Sequence, residues 1–168
     1  VSKLIALSSE RCRGFIYELP EAIEILDNIR KEKTDRSTHD RIEYIGGSFL
    51  NTGDHLGLEN IPDGRLFELI SLCWILHDWN DDTCLNILQK LYCHLAISGR
   101  LVILEAPLTE DRIGPACMHD MTMLLQTEGR ERTLSEYKSL LVQVGFLNED
   151  IARVETDTRR QMIIATKR

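Results

Sequence analysis

The stretch Leu69-Ile-Ser-Leu-Cys-Trp-Ile-Leu-His-Asp-Trp-Asn-Asp81 decides the fold of this chain. It starts as an apolar run typical of a parallel strand buried on both faces, and it stops at polar and aromatic side chains. Ligands of open α/β sheets bind beyond the carboxyl ends of the strands, so His77, Asp78 and Trp79 would be within reach of a bound molecule. An isolated His-Asp pair is better explained as a cap for the next helix, so the rest of the chain must decide between these interpretations.

The bulk composition indicates one globular domain that binds a small molecule. The chain has 168 residues, of which 43% are hydrophobic and 28% charged, enough for a single sizeable core. A net charge of −7 offers no attraction to nucleic acid or to an anionic membrane. The five cysteines form no CxxC pair and are predicted to be reduced core thiols. Because no signal-like or membrane-spanning run occurs in the sequence, we expect a cytoplasmic protein with neither a nucleic-acid nor a membrane partner.

Alternating strand and helix patterns predict an α/β fold with a mostly parallel sheet. The first predicted strands cover residues 13–18, 41–45, 66–76 and 101–104. Predicted helices lie between them, one beginning at Pro20 and another capped by Asn80 or Asp81. The remaining predictions are a short amphipathic helix at residues 1–10, a surface insertion at 30–40 and a loop at 51–64.

The C-terminal third continues this pattern. A helix is predicted within residues 110–127, and its methionines suggest adaptable core packing. Thr133-Leu-Ser-Glu136 has the spacing of a capping box, and Gly145 is the predicted end of the helix that follows. Residues 151–154 and 162–166 are predicted to form an antiparallel pair of strands at the edge of the sheet.

Three residues could form an acid–base site. His77 ends one strand, Glu105 ends the next, and Glu131 lies in the Gly-Arg-Glu-Arg-Thr turn. An imidazole can take a proton from a hydroxyl near neutral pH, and a carboxylate can orient it and stabilise the imidazolium. Glu18, at the end of an early strand, lies where nucleotide-binding folds place a carboxylate for ribose hydroxyls. Taken singly, Glu18 and Glu105 are better explained as surface carboxylates, and Glu131 as a partner of Arg130 or Arg132.

Several other chemistries lack their motifs in this chain. The sequence contains no G-x-G-x-x-G, no P-loop, no H-E-x-x-H and no G-x-S-x-G. We therefore expect no metal site.

Five segments in order resemble motifs of the S-adenosylmethionine-dependent small-molecule O-methyltransferases, above all the acetylserotonin O-methyltransferase group. They are Cys-Trp-Ile-Leu-His-Asp-Trp-Asn-Asp (73–81), Gly-Arg-Leu-Val-Ile-Leu-Glu (99–105), Asp-Met-Thr-Met-Leu (120–124), Glu-Gly-Arg-Glu-Arg-Thr (128–133) and Val-Gly-Phe (144–146). The resemblance covers nearly the whole chain from Phe15 onward. It implies a three-layer, Rossmann-like methyltransferase sheet, mostly parallel with an antiparallel edge strand. It also implies S-adenosylmethionine as cofactor and a small aromatic hydroxyl compound as acceptor.

The resemblance assigns a role to each candidate residue. It places His77 on the family's catalytic base, which deprotonates the acceptor hydroxyl, and Glu105 and Glu131 on the two acidic residues that orient it. The positions that it places at the cofactor are Glu18 for the ribose, Ser48 and Phe49 for the adenosine, and Trp74 and Trp79 nearby. It places Asp120 and Thr122 on the wall of the acceptor pocket.

Three departures from the family's pattern concern these pockets. The family's Gly-Asp-Phe-Phe is Gly-Ser-Phe-Leu at residues 47–50, so a hydroxyl replaces the carboxylate that meets the adenosine. Cys73 and Trp74 occupy positions where relatives tend to have a cationic residue, and Thr122 stands where acetylserotonin enzymes are expected to have asparagine. The acceptor is therefore left open.

The resemblance also bears on domain organisation. Family members begin with a helical dimerisation domain and then a strand that ends in Asp-x-Gly-Gly-Gly, and neither is found in this chain. We therefore expect residues 1–168 to be a single partial catalytic domain that lacks the N-terminal part of the fold, and the full-length protein to be a homodimer.

Two alternatives remain. One is a truncated or degenerate paralogue without catalysis that pairs with a full-length partner, which the absent glycine-rich turn and Ser48 favour. The other is a nicotinamide-dependent dehydrogenase, which would need the absent G-x-G-x-x-G and ranks last.

Overall fold

The computed structural model of the protein describes residues 9, 11–32, 40–50, 65–114, 116–156 and 160–168. The chain divides into two compact units, Val1–Asp63 and Gly64–Arg168, and each is described by itself. The predicted helix at residues 1–10 (except Ser9), most of the predicted insertion at 30–40 and the predicted loop at 51–64 lie outside the described residues.

The N-terminal unit contains a strand, a helix and a second strand. Strand β1 (Gly14–Glu18) pairs in parallel with β2 (Ile42–Gly46), with Gly14 opposite Ile42 and Glu18 opposite Gly46. Helix α1 (Pro20–Glu32) begins at the predicted proline, whose fixed backbone suits a first helical turn. The prediction of two strands joined by a helix is therefore confirmed.

The C-terminal unit is built on a four-stranded sheet. Its elements are β3 (Phe67–Cys73), α2 (Asp81–His94), β4 (Leu95–Glu105), α3 (Ala116–Gln126), α4 (Leu134–Gln143), β5 (Ile151–Glu155) and β6 (Gln161–Thr166). The strand order is β3-β4-β6-β5. Strands β3 and β4 are parallel, and β6 is antiparallel to both of its neighbours. The predicted α/β class, with parallel strands and an antiparallel pair at one edge, is confirmed.

The core of this unit forms where the central strands meet helices α2 and α4. Leu101 and Ile103 of β4 and Ile163 of β6 are almost completely buried, and α2 and α4 pack against each other. The predicted caps of α2 and α4 are confirmed, but β4 begins at Leu95, six residues before the strand predicted at 101–104. The Asn80 side chain caps α2 by accepting from Thr83 N, and Thr133 forms the capping box with Glu136.

The organising strand differs from its prediction in length and burial. It ends at Cys73, and Trp74 then adopts a positive φ of 58°, so the chain leaves the sheet before Leu76. Leu72 is the buried residue of β3, whereas Leu69 is 51% exposed and Cys73 is exposed. The prediction of burial on both faces is wrong because β3 is an outer strand of this unit's sheet.

Two predictions of core packing are also wrong. Met118 and Met121 of α3 are 68% and 59% exposed, and Leu124 and Leu125 are exposed as well. None of residues 117–126 belongs to the buried core. Among the cysteines, Cys84 is buried, and Cys12, Cys73 and Cys93 are exposed. An apolar stretch of sequence therefore did not predict which of these thiols are buried. No disulfide is found among the described residues.

Candidate active site

The site is built where β3 and β4 end side by side. Cys73 lies opposite Leu104, so Glu105 is the next residue at the carboxyl end of β4. One oxygen of Glu105 accepts hydrogen bonds from the backbone N–H groups of Ile75 (3.2 Å) and Leu76 (3.0 Å). This carboxylate thereby fixes the turn that follows β3.

That turn places His77 in a buried position. Residues Leu76–Asp78 form one turn of 3-10 helix, and His77 is 5% exposed. Its Nδ1 lies 3.3 Å from Glu131 Oε1 and 3.5 Å from Glu105 Oε2, and its Nε2 lies 3.5 Å from Asp78 Oδ1. The structure therefore brings together the three residues predicted to act in catalysis.

The two carboxylates decide which ring nitrogen is available for chemistry. Nδ1 lies between Glu105 and Glu131, neither of which has exposed surface, so we assign the proton of the neutral ring to Nδ1. Nε2 is then the nitrogen that can accept a proton. A histidine general base needs such a nitrogen within reach of the hydroxyl that it deprotonates.

Electrostatics in the site favour the charged imidazole. The hydrogen bond to Glu131 raises the pKa of His77 above its ordinary value; burial opposes this, and the charges of Glu105, Glu131 and Asp78 add to it. Burial raises the pKa of Glu105, opposed by His77 and by the two backbone N–H donors. The histidine's proton affinity therefore depends on its carboxylate neighbours.

The two residues predicted for the acceptor pocket lie on α3. Asp120 accepts a hydrogen bond from the backbone N–H of Glu131 at 2.9 Å, which links it directly to the His77–Glu105–Glu131 cluster. The Thr122 hydroxyl donates to Met118 O at 3.0 Å within its own helix. Both side chains are half-buried, and their role towards an acceptor stays a prediction.

The two tryptophans predicted for the cofactor flank the same turn. The Trp74 ring meets the His77 ring edge-on, with centroids 5.0 Å apart, and the Arg160 guanidinium lies 5.2 Å from the Trp74 ring centroid. The buried Nε1 of Trp74 has no hydrogen-bond partner within the described part of the chain. Trp79 is half-buried at the end of the turn.

The other predicted cofactor residues belong to the N-terminal unit. Glu18 is exposed at the carboxyl end of β1. The Ser48 hydroxyl accepts a hydrogen bond from Leu50 N at 3.3 Å, and the Phe49 ring lies 6.2 Å from the Tyr17 ring. The structure places these three residues within their own unit, and their role at a cofactor stays a prediction.

The sequence analysis missed residues that hold the His77 turn in place. Arg132 is fully buried and donates to the carbonyl groups of Leu76 and Trp79, both at 2.8 Å. Burial raises the pKa of the Cys84 thiol to about 11, so this group stays protonated and donates to Leu76 O at 3.2 Å. The Gly-Arg-Glu-Arg-Thr motif was noted for Glu131 alone. From the sequence, Arg132 is only an alternative partner for Glu131, with no role at the turn.

Two features are absent from the described residues. These residues contain no group of His, Cys, Asp and Glu side chains able to hold a metal ion. None of their helices is long and apolar enough to span a membrane.

Comparison with known proteins identifies a family. The O-methyltransferase domain model matches residues 3–147. Acetylserotonin O-methyltransferase from Gallus gallus is 33% identical over 144 residues, covering 84% of this chain and 38% of that protein. Flavonoid 4'-O-methyltransferase 4 from Mentha piperita is 30% identical over 150 residues, which cover 86% of this chain and 38% of that protein. The chain therefore spans well under half the length of these relatives.

Solved structures agree with this assignment. Human N-acetylserotonin methyltransferase in complex with S-adenosylmethionine superposes with a TM-score of 0.75 at 28% identity, covering 93% of this chain and 41% of that one. The structure of PigF with S-adenosylhomocysteine gives a TM-score of 0.78 at 27% identity, covering 98% and 46%. The arrangement of strands, the family model and these relatives all lead to one conclusion: the chain belongs to the O-methyltransferase domain family.

Proposed function

We propose that the protein containing this chain transfers a methyl group from S-adenosylmethionine to a hydroxyl of a small aromatic acceptor, with His77 as general base. The observation that carries the proposal is the buried His77 ring, whose Nδ1 lies within 3.5 Å of two buried carboxylates, Glu105 and Glu131. A buried imidazole held this way keeps Nε2 available to take a proton.

In the proposed reaction, the cofactor supplies an electrophilic methyl group. His77 Nε2 would take the proton of the acceptor hydroxyl as that oxygen bonds to the methyl group and the sulfonium–methyl bond breaks, which would leave S-adenosylhomocysteine. The Nδ1–H of His77 faces Glu131 Oε1 at 3.3 Å throughout, which holds the ring in one orientation. Glu105 and Glu131 then stabilise the imidazolium, because opposite charges at this distance interact strongly in a buried site.

The cofactor assignment is supported by residue chemistry. Glu18 presents an exposed carboxylate at the carboxyl end of β1, where α/β folds bind ribose hydroxyls. Phe49, just after β2, and Trp79, after the β3 turn, offer aromatic surfaces of the kind that can pack on an adenine. Two superposed relatives were solved with S-adenosylmethionine or S-adenosylhomocysteine.

The acceptor class is supported by the names of the relatives. Acetylserotonin and flavonoid O-methyltransferases are among the similar proteins, so we propose an aromatic acceptor with a hydroxyl group. Half-buried Asp120 and Thr122 on α3 are the proposed pocket residues. We also propose that the full-length protein is a cytoplasmic homodimer.

A non-catalytic paralogue is the second candidate, and Ser48 is the observation that favours it. Its hydroxyl is engaged by the local Leu50 N–H, and it offers no negative charge to an adenosine. A protein of this kind would bind the cofactor weakly or not at all, and it would act through association with a full-length partner.

Calorimetric titration of the full-length protein with S-adenosylhomocysteine tests the proposal, followed by an assay for transfer of isotope-labelled methyl to small aromatic hydroxyl compounds. We expect binding and labelled product. Titration with NAD is the matched control and should give no heat of binding. Absence of S-adenosylhomocysteine binding would refute the proposal and favour the paralogue, and binding of NAD alone would favour a dehydrogenase.

A further inference from the structure

Arg132 is a buried guanidinium whose hydrogen-bonding capacity is fully used. It makes five hydrogen bonds, as many as a guanidinium has N–H groups. Nη1 donates to Leu76 O (2.8 Å) and Arg130 O (3.4 Å), and Nη2 donates to Trp79 O (2.8 Å). Nε and Nη2 both donate to Asp81 Oδ1, at 2.9 and 2.6 Å.

The acceptors of these bonds lie around the His77 turn. Leu76 O comes directly before His77, Trp79 O comes two residues after it, and Asp81 is the first residue of α2. One side chain thus joins the beginning of the turn, its end and the start of the next helix. The guanidinium is planar and rigid, so it also fixes the distances between these three points.

The adjacent residue, Glu131, binds the His77 ring itself. Glu131 therefore holds the imidazole of His77, and Arg132 holds the carbonyl groups of Leu76 and Trp79 on either side of it. Gly129 shows how closely the two segments pass, because a Cβ at that position would lie 2.0 Å from His77 O and 2.5 Å from Trp79 N. Small displacements of the turn must therefore change the distance from His77 Nδ1 to Glu131.

We propose that Arg132, anchored by Asp81, is a positioning residue for the methyl transfer: it fixes the turn 76–79 so that His77 Nε2 faces the acceptor hydroxyl while Nδ1 stays on Glu131. This inference rests on the proposed function. Arg132 acts through His77 and is not itself expected to touch the acceptor or the cofactor.

The chain offers a matched control for this residue. Arg130 Nη2 also binds Asp81, through the other carboxylate oxygen at 3.0 Å, and Arg130 Nη1 binds Glu136 at 2.6 Å. No hydrogen bond of the Arg130 side chain to a carbonyl of residues 76–79 is found among the described residues. Replacing Arg130 therefore removes a cation from Asp81 and leaves the hydrogen bonds from Arg132 to the turn in place.

Arg132→Lys and Arg130→Gln in the full-length protein are the decisive pair. A lysine ammonium has three N–H donors and lacks the planar, forked arrangement of a guanidinium, so lysine can make only some of these hydrogen bonds. For Arg132→Lys we expect kcat to fall roughly 100-fold, as for a displacement of about 1 Å, with KM and S-adenosylhomocysteine affinity nearly unchanged. NMR titration of His77 should also show its pKa falling towards the ordinary value of 6.5, because the bond to Glu131 is lengthened. Arg130→Gln should leave kcat and the His77 pKa at wild-type values.

Wild-type kcat and a wild-type His77 pKa in a folded Arg132→Lys variant would overturn the proposal, as would equal losses in Arg130→Gln. If Arg132→Lys does not fold, Asp81→Ala decides instead, because Asp81 has a half-exposed side chain and its removal cuts two of the five bonds. A lowered kcat and His77 pKa in Asp81→Ala would support the proposal, and wild-type values would refute it. If even the wild-type protein transfers no methyl group, the proposed function fails, and the pKa comparison still decides the positioning role.

Discussion

The carboxylates around His77 orient its ring and also raise its pKa. They therefore set how the proposed activity depends on pH. The hydrogen bond to Glu131 is the largest cause that raises the pKa of His77. Glu131→Gln keeps the size of the side chain and removes the charge. We expect the acid limb of the pH–rate profile to move to lower pH, because a less stabilised imidazolium loses its proton more easily.

The plateau rate of the same variant should fall, since the imidazolium formed in the transition state is less stabilised. Exposed Glu128→Gln is the control and should leave both the limb and the plateau unchanged. An acid limb that stays in place in Glu131→Gln would show that this carboxylate does not set the histidine's proton affinity.

Ser48 is the residue at which the cofactor pocket is proposed to be weakened. Aspartate can accept the Leu50 N–H as serine does, so Ser48→Asp should preserve the local turn. Charge-assisted hydrogen bonds contribute roughly 1.5–3 kcal/mol, so S-adenosylhomocysteine should bind more tightly in calorimetry. Ser48→Asn, which has the same shape without the charge, should gain much less. Equal affinities in all three proteins would mean that no adenosine donor faces this position.

At this scale, part of the site could be predicted from sequence. His77 and Glu105 meet because the carboxyl ends of neighbouring parallel strands share one edge of the sheet, and strand ends are visible as the limits of apolar runs. Arg132 could not be predicted. An arginine between polar residues normally indicates a surface position, and its burial depends on carbonyl groups more than 50 residues earlier in the chain.

At the scale of elements, the segment at Gly129 passes close to the turn formed by residues 76–79, and this contact is sensitive to mutation. A methyl group at Gly129 would meet the backbone of residues 77–79, which cannot move aside like a flexible side chain. Gly129→Ala should lower the free energy of unfolding by at least about 1–3 kcal/mol, the usual cost of overpacking, as measured by denaturant titration. It should also lower turnover. Neighbouring Glu128→Ala, at an exposed position, should stay within about 0.5 kcal/mol of the wild type. Similar stability of the two variants would contradict the close contact.

Element boundaries were predictable where a local cap defines them, and burial was not. The Asn80 cap and the Thr133–Glu136 capping box are hydrogen bonds within four residues, so the sequence contains the whole signal. The exposure of Leu69 on β3 and of Met118 on α3 depends on which elements lie beside them. An apolar pattern predicts that a face of an element will be buried, but it does not indicate which other element packs against that face.

For the whole molecule, the α/β class followed from alternation of strands and helices, and it is confirmed in both units. The prediction that residues 1–168 form one partial catalytic domain stays a prediction. The relatives are matched over 36–38% of their length, so a full-length protein is the appropriate material for every assay proposed above.

Stability should depend on pH through His77. Its folded pKa lies above the ordinary 6.5, so its protonation stabilises the fold fully below that value, and this contribution is lost as pH rises through the folded pKa. We therefore expect the difference in unfolding free energy between the wild type and His77→Gln to shrink across that window in denaturant titrations. A difference that is constant or grows with pH would contradict the raised pKa.

The central claim is that His77 is the general base of a methyl transfer, and the pH dependence of turnover in His77→Gln tests it most directly. We expect the variant to bind S-adenosylhomocysteine as the wild type does and to turn over roughly 10²–10⁴-fold more slowly, the usual contribution of positioned proton transfer. The wild-type rate should rise with pH through a pKa above 6.5, and this rise should be absent from the variant. A His77→Gln protein that kept the wild-type rate and pH profile would contradict the mechanism and leave the buried His77–Glu105–Glu131 cluster without a catalytic role.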